Sequence, residues 1–510
     1  MKSSKKNSIL FLLLIALASY IAIFPLFKNG FPLTDDGNWM IIRFSAFYEV
    51  LRAGQFPVRF LPRLNNGFGY PVADFLYPLF MYLGVPIHVL GFNFQNSIKI
   101  LMGSSIFLSS VFTFYWLKQK FSQLPAFLGA IVYAYFPYHL FDLYSRGSVG
   151  ELLALAIVPF IFWQVERKNI ILTSIGIALL ILAHNSLAFI FLPIIITYIA
   201  LIHHNDFKKW LFSIGLSLGL TAFFWIPALY DKQFTVFDQV SVSDFSKYFI
   251  TLQNFNLYGL FFAVLAVTSL VLLTIKRDRR LIYFSVVSLI AVFLTIPLSS
   301  IFWKLSVFAG YVQFPFRFIS IICLSAAYLS AFQLSIIKNK FIYVILGAYL
   351  ILLVVSSYGF LKPTLQNYPD SFYSTNQDST TVKNEYMPKW VEKIPTKSSG
   401  EKVTVLKGHQ SIQNLFTNGN KISFNFYTPS ETSIQINTIY FPGWKVKLDG
   451  REVPISYKNE NGLIRFSTLS GQHNVLAYFS ETPVRLLADF ISLVSIGIIF
   501  LSRCRKYFKK

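Results

Sequence analysis

Apolar runs of roughly 17–22 residues recur along nearly the whole chain, and each is long enough to cross the ~30 Å hydrocarbon core of a bilayer as a helix. The runs are 8–27, 98–117, 124–141, 150–165, 169–184, 186–202, 210–230, 257–275, 281–298, 315–336, 341–360 and 486–502. A soluble core does not need such lengths, and the 54% hydrophobic content exceeds the ~45–50% usual for soluble domains. The 55 phenylalanines suit lipid-facing and interfacial surface. The chain is therefore expected to be a polytopic α-helical membrane protein of about 12 spans.

The formal charge of +22 does not call for nucleic acid, because of where the charges fall. They sit in short loops between runs: Lys118 and Lys120, Arg167 and Lys168, Lys208 and Lys209, Lys276 to Arg280, Lys338 and Lys340. Lys2, Lys5 and Lys6 precede the first run, and Arg503, Arg505, Lys506, Lys509 and Lys510 follow the last. Lysine and arginine mark cytoplasmic loops, so both termini are expected in the cytoplasm and the partner surface is the lipid bilayer. The first run lacks a small-x-small cleavage site and is read as an anchor. Two cysteines, Cys323 and Cys504, cannot pair across a membrane, which leaves no disulfide framework.

One apolar run breaks the alternation. Residues 75–91 carry Pro78, Pro86 and His88, and a crossing there would invert everything downstream; a re-entrant or interfacial helix is expected instead. Residues 38–53 mix Trp39, Ile41, Phe44 and Phe47 with Arg43, Glu49 and Arg52, the pattern of a helix lying in the interface plane. The transmembrane domain is thus 1–360, with an outer loop at 28–97. A polar linker, 361–401, follows. Period-two segments between 402 and 484, with Asp449-Gly450 and Asn461-Gly462 as I′ hairpin signals, read as a small extracytoplasmic antiparallel β domain. Residues 485–510 are the final span and basic tail.

This topology gathers polar groups on the outer side: Asp35, Asp36 and Asp74; Asp142, Arg146 and Glu151; His184 and Asn185; Asp231 and Lys232; Arg317. Ionisable groups at membrane depth are costly and point to pairing or function. Of the adjacent carboxylates Asp35 and Asp36, one can serve as general base on an acceptor hydroxyl. Together they can also hold a divalent cation, Mg²⁺ or Mn²⁺, through hard oxygen ligands. Arg317, in QFPFRF, sits where a guanidinium can bind a phosphate bidentately, and Arg59 and Arg63 invite the same comparison. His184-Asn185 is either a turn between spans or an imidazole that orients a carboxylate or binds metal. No Walker A loop, dinucleotide fingerprint, HExxH or GxSxG elbow occurs.

These residues lie in a recognisable series: the acidic TDDG loop, NNGFGYPVADFLYPL (Asn65 to Leu79), SRGSVGELLA (Ser145 to Ala154), AHNSLA (Ala183 to Ala188), QFPFRF, NEYMPKW (Asn384 to Trp390) and YFPGWKVKLDG (Tyr440 to Gly450). In their order they resemble bacterial multi-span proteins related to GT-C-type glycosyltransferases. More closely, they resemble the "6-pyruvoyl-tetrahydropterin synthase-related" membrane family and lipoteichoic-acid-glycosylating membrane proteins. Seven scattered histidines offer no zinc cluster of the kind a soluble pterin enzyme needs.

The resemblance implies transfer of a sugar from a polyprenyl-phosphate carrier to an extracytoplasmic acceptor, such as a cell-envelope glycan, at a bacterial cell membrane. It implies that Asp35 or Asp36 is the base or a metal contact. Arg59, Arg63 and Arg317 become the donor-phosphate groups, and Asp74, Arg146, Glu151, His184 and Asn185 the pocket. Two other classes compete. A lipid-linked glycan transporter or flippase predicts internal repeats and a midplane site. A non-catalytic envelope-assembly protein predicts that both aspartates are dispensable.

Overall fold

The computed structural model of the chain describes residues 2–240, 244–304, 306–398, 400–407 and 411–507. Lys509 and Lys510 lie outside the described residues, as do the side chains of Lys2, Lys5, Lys6, Arg503, Cys504, Arg505 and Lys506.

Among the described residues, seven helices are long and apolar enough to cross a membrane: Ser8–Phe27, Phe94–Leu117, Val149–Glu166, Asn185–Ile202, Pro315–Ser335, Lys340–Leu361 and Pro483–Ser502. Three bent pairs raise the count to ten: Gln123–Tyr135 with Pro137–Arg146 (41°), His204–Leu220 with Ala222–Phe234 (67°), and Arg279–Thr295 with Pro297–Trp303 (84°). Pro137 and Pro297 open the second helix of their pairs, where a ring without an N–H ends the preceding ladder. The two remaining expected spans are the shorter helices Ile170–Ala183 (14 residues) and Gly259–Ile275 (17 residues). The run expected not to cross folds as the 11-residue helix Leu79–Val89 with Pro86 inside. Its length of about 16 Å is half a hydrocarbon core.

The chain divides into two compact units. The first comprises Met1–Asn38, Tyr82–Leu218 and Val242–Tyr368. Its helices pack Phe94–Leu117 against Val149–Glu166 and Gln123–Tyr135, and Ile319–Ser335 against Gln123–Tyr135 and Arg279–Thr295. Gly129 is required there, because a Cβ would lie 2.6 Å from the Ala327 carbonyl oxygen. Small residues allow this approach between membrane helices. Trp116, Phe162, Phe284 and Tyr328 fill the space beside it. The short strands β1 (Phe31–Pro32) and β2 (Leu365–Gln366) pair antiparallel. Lys99 Nζ donates to the carbonyls of Lys28 (2.7 Å) and Gly30 (3.0 Å), which ties the start of the acidic loop to a helix.

The second unit comprises Trp39–Met81, Gly219–Ser241 and Pro369–Lys510. It holds two antiparallel sheets. One has the order β4 (Gln413–Asn418), β5 (Lys421–Thr428), β10 (Gly471–Phe479), β7 (Trp444–Leu448), β8 (Arg451–Val453); the other β3 (Val403–Val405), β6 (Thr432–Ile439), β9 (Leu463–Thr468). Alternate residues Ile422, Phe424 and Phe426 of β5, Val475, Ala477 and Phe479 of β10, and Ile434 and Ile436 of β6 build one apolar core. This is the period-two pattern of a sheet with one buried face.

Asp449 and Gly450, both at positive φ, make the two-residue turn between Leu448 and Arg451, as a I′ hairpin requires. Asn461-Gly462 does not. Only Gly462 has positive φ, and it closes a longer turn by donating to the Asn459 carbonyl (2.9 Å) ahead of β9. A second hairpin turn, Gly419-Asn420 between β4 and β5, carried no expectation.

The helix Gly37–Arg52 leaves Glu49 and Arg52 exposed but buries the third of its expected charges. Arg43 is buried and donates to the Thr380 hydroxyl (2.8 Å) and carbonyl, so its charge is satisfied inside the protein. Within the polar stretch 361–401, Tyr373, Thr380 and Met387 are buried, and the carbonyls of Tyr373, Ser374 and Thr380 accept from Ser45, Arg63 and Arg43.

Candidate functional site

The first unit concentrates charge at one place, and the chain's local geometry explains how. After Pro137 the helix loosens into a π-helical turn, Asp142–Arg146, ended by Gly147 at φ +66°. π turns are rare and recur at functional sites. The carbonyls of Ser145 and Arg146, freed at this end, accept the backbone N–H of Asp35 (2.9 Å) and Asp36 (2.8 Å). A Cβ on Gly147 would meet Thr34 Oγ1 at 2.4 Å. The acidic loop is thereby clipped, backbone to backbone, onto the π turn.

Side chains extend the connection inward. Arg146 Nη2 lies 3.2 Å from Asp36 Oδ2 and 3.5 Å from Glu151 Oε1. Its guanidinium also stands over the rings of Phe314 and Phe316, 5.2 and 5.3 Å from their centroids. Glu151 is wholly buried in the first turn of Val149–Glu166, where the helix terminus favours a carboxylate. It accepts from Arg317 Nε (2.9 Å) and the Tyr138 hydroxyl (3.1 Å).

Arg317 Nη1 donates to Ser186 Oγ (3.1 Å), the Val312 carbonyl (2.7 Å) and Gln313 Oε1 (3.0 Å). His184 caps the helix Asn185–Ile202 through Nδ1, which accepts from the Leu187 N–H (3.2 Å). That bond puts the ring proton on Nε2, 3.6 Å from Glu151 Oε1. His184 is thus both a turn residue and a neighbour of the carboxylate.

Asp35 differs from the rest. Its carboxylate has no hydrogen-bond or ion-pair partner among the described residues, and it is solvent-exposed while Asp36 is committed to Arg146. Partial desolvation raises the Asp35 pKa above the ordinary carboxylate value; Arg146 opposes the rise and Asp36 adds to it. A carboxylate made more basic yet left accessible is suited to accept a proton. Arg146 and Arg317, joined through Glu151, each keep one terminal amino group without an acceptor among the described residues.

The structure therefore brings together Asp35, Asp36, Arg146, Glu151, His184 and Arg317, with Asn185 exposed at the adjoining helix start. Asp74, Arg59 and Arg63 belong to the second unit and have partners there. Arg59 is 2% exposed and contacts Asp74 (3.4 Å), Glu481 (3.3 Å), Asp489 (3.1 Å) and the Phe223 carbonyl (2.7 Å). Arg485, wholly buried, holds Asp231 (2.9 Å) and Asp74 (3.6 Å). Arg63 reaches Glu49 (3.3 Å), Ser45 and the carbonyls of Ile42, Tyr373 and Ser374.

The site residues absent from the sequence-based set are Tyr138, Ser186, Phe314 and Phe316. Ser186 and the two phenylalanines lie inside AHNSLA and QFPFRF, so those motifs pointed at them; nothing marked Tyr138. Asp36 Oδ2 is taken by Arg146, and among the described residues no three His, Cys, Asp or Glu side chains are grouped to hold a metal ion.

No family model matches the chain. An uncharacterized protein of Lactococcus lactis subsp. cremoris is 26% identical over 270 residues, 49% of this chain and 44% of the relative. The chain thus spans less than half the length of that relative. Among solved structures, an archaeal oligosaccharyltransferase from Archaeoglobus fulgidus, in complex with an inhibitory peptide and a dolichol-phosphate, has a TM-score of 0.47 at 12% identity. It covers 76% of this chain and 57% of its own. ArnT from Cupriavidus metallidurans bound to undecaprenyl phosphate gives 0.47 at 13% identity, covering 72% and 68%. Arabinofuranosyltransferase AftD from Mycobacteria gives 0.46 at 16%, covering 68% and 26%. At these scores the likeness carries no residue-level correspondence.

Proposed function

We propose that the chain is a membrane glycosyltransferase of GT-C type that moves a sugar from a polyprenyl-phosphate carrier to a hydroxyl of an extracytoplasmic acceptor. The observation that carries this reading is Asp35: an unpartnered, partly desolvated carboxylate that feels the Arg146 guanidinium, which Glu151 links to Arg317. Asp35 accepts the proton of the acceptor hydroxyl. The hydroxyl oxygen bonds to the anomeric carbon as the carbon–oxygen bond to the carrier phosphate breaks. The departing phosphate takes the electron pair, and its charge is met by Arg317 and Arg146 through charge-assisted hydrogen bonds. A single displacement of this kind inverts the anomeric centre.

Asp36 acts by holding Arg146, and Glu151 by holding both arginines. No step is routed through a metal. The basic loops support cytoplasmic termini, with the β-sandwich on the opposite side, at a bacterial cell membrane. A cell-envelope glycan is the acceptor class this placement favours.

The test is turnover of polyprenyl-phosphate sugars by the protein in nanodiscs, for wild type, Asp35→Asn and Asp36→Asn. Turnover abolished in Asp35→Asn with donor binding kept, and reduced in Asp36→Asn, is the expected result. Full activity of Asp35→Asn would overturn the assignment of the base. Absence of turnover in the wild type with every donor would overturn the transferase reading.

A further inference from the structure

The two sheets of the second unit treat their polar faces differently. On the three-stranded sheet the outward side chains satisfy one another. Arg465 Nε donates to Gln435 Oε1 (2.7 Å), Gln435 Nε2 to Asn437 Oδ1 (2.8 Å), and Asn437 Nδ2 to Thr404 Oγ1 (3.0 Å). That ladder is closed. On the five-stranded sheet, pairing puts Gln413, Asn425 and Asn474 in one row across three strands. None of these amide side chains has a hydrogen-bond partner among the described residues. An amide with both its donor and acceptor open matches a hydroxyl pair, which also needs one of each.

Rings and charges flank the row. Tyr427, opposite Gln472, is 63% exposed, and Phe416, opposite Ser423, is 57% exposed. A solvent-facing sheet face needs no aromatic for folding, since the opposite face supplies the core. Tyr427 lies on one side of the row; on the other, together with Phe416, stand Lys421, Lys445 and Lys447, in register with Tyr478 and Leu476. Two acids adjoin this face, and both are occupied: Glu452 by Lys445 (3.2 Å) and the Tyr478 hydroxyl (3.0 Å), and Asp449, in the turn after β7, by His473 (2.7 Å) and the Asn474 N–H (2.8 Å). The face is therefore positive, rich in open amides, and furnished with flat apolar rings.

We propose that the outer face of the five-stranded sheet binds a linear anionic glycan, one in which polyol or sugar units alternate with phosphodiester or carboxylate groups. The amides take the hydroxyls, Tyr427 and Phe416 pack on the C–H faces of the rings or chains, and the lysines meet the anions. Charge complementarity selects this occupant over a neutral glycan. Open amides in register select it over a bilayer, whose headgroups ask only for charge. This inference is independent of the transfer chemistry assigned to Asp35.

The full chain in phosphatidylcholine nanodiscs is titrated with a polyol-phosphodiester polymer, with neutral dextran, and separately with phosphatidylglycerol vesicles. The polymer is expected to bind with an affinity that falls as salt rises, and dextran to bind far more weakly. Tyr427→Ala is expected to weaken the polymer about fivefold, from the loss of one exposed aromatic contact, with an unchanged thermal midpoint. The pair Lys421→Ser and Lys447→Ser is expected to remove the preference for polymer over dextran and flatten the salt dependence. Both substitutions sit on the solvent face, so folding is spared, and Asp35-dependent turnover of a small acceptor stays at the wild-type level. Polymer binding that neither substitution alters, the absence of polymer binding, or vesicle binding that outcompetes the polymer would each overturn the proposal.

Discussion

Replacing Glu151 with glutamine tests whether one buried charge organises the site. The side chain is wholly buried, and its volume hardly changes. Glutamine can still accept from Arg317 Nε and can donate to the Tyr138 hydroxyl, whose oxygen then becomes the acceptor. What disappears is the negative charge opposite Arg317, which is 5% exposed and whose other acceptors, Ser186 Oγ, the Val312 carbonyl and Gln313 Oε1, are all neutral. Removing one partner of a buried ion pair costs about 3–5 kcal/mol, and the low end corresponds to roughly 150-fold. Arg146 keeps one ion-pair partner among the described residues, Asp36, which is 27% exposed and screened, with the buried Asp142 nearby. Turnover of a polyprenyl-phosphate sugar in nanodiscs, with a thermal midpoint recorded in parallel, reads the effect. The expected result is a kcat about a hundredfold lower and a lower midpoint, with donor KM unchanged or reduced, because the released Arg317 holds the phosphate at least as well. A kcat within about threefold of wild type at an unchanged midpoint would refute the idea that Glu151 positions the two arginines.

Arg146→Gln removes the group that opposes the upward shift of the Asp35 pKa. Asp35 must be ionised to accept a proton, so the acid limb of the pH–rate profile moves to higher pH, and Arg146→Lys, which keeps the charge, leaves the limb closer to its wild-type position; a limb that stays put or moves down in Arg146→Gln would sink the assignment. Gly147→Ala puts a Cβ 2.4 Å from Thr34 Oγ1 at a position with φ +66°. Displacement of the acidic loop is expected to lower kcat by about 10–100-fold, while circular dichroism and size-exclusion profiles remain those of the wild type. EDTA is expected to leave turnover unchanged, as measured against a Mg²⁺-supplemented control.

The membrane class, the crossing segments and the β-sandwich were legible because each rests on a periodicity that local sequence carries. Runs of Leu, Ile and Phe announce helices, and KISFNFY announces a strand with Ile422, Phe424 and Phe426 inward. The outer loop 28–97 was harder. Sequence reads it as one outer element, yet Asp35 and Asp36 attach to the first unit, while Phe60 and Phe75 enter the apolar core of the second. No local signal marks that parting, since it depends on which distant surface each half covers. Arg43 was misjudged for the same reason. A charged residue at helical spacing looks solvated until the Thr380 carbonyl arrives from more than 300 positions away. Arg146, Glu151 and Arg317 were picked out by the cost of charge at membrane depth, which sequence can show. Their mutual contacts, and the Phe314 and Phe316 platform, needed the fold.

That cost also separates arginines that sequence left equal. Arg59 spends every nitrogen within the protein: Nε on Glu481, Nη1 on Asp74 and the Phe223 carbonyl, Nη2 on Asp489. A donor phosphate could recruit it only by breaking ion pairs, one of them to the wholly buried Asp74, whereas Arg317 and Arg146 each retain an amino group to give. Arg59→Met keeps much of the side chain's length but leaves Asp74, wholly buried, with Arg485 alone at 3.6 Å. The expected cost is about 3–5 kcal/mol of stability, read as a lower thermal midpoint and faster proteolysis of the second unit. At a temperature where the variant is folded, its donor KM should match that of the wild type, while Arg317→Met raises it. An Arg59→Met protein with wild-type stability and a raised donor KM would reverse the assignment, making Arg59 the phosphate ligand and Arg317 the structural ion pair.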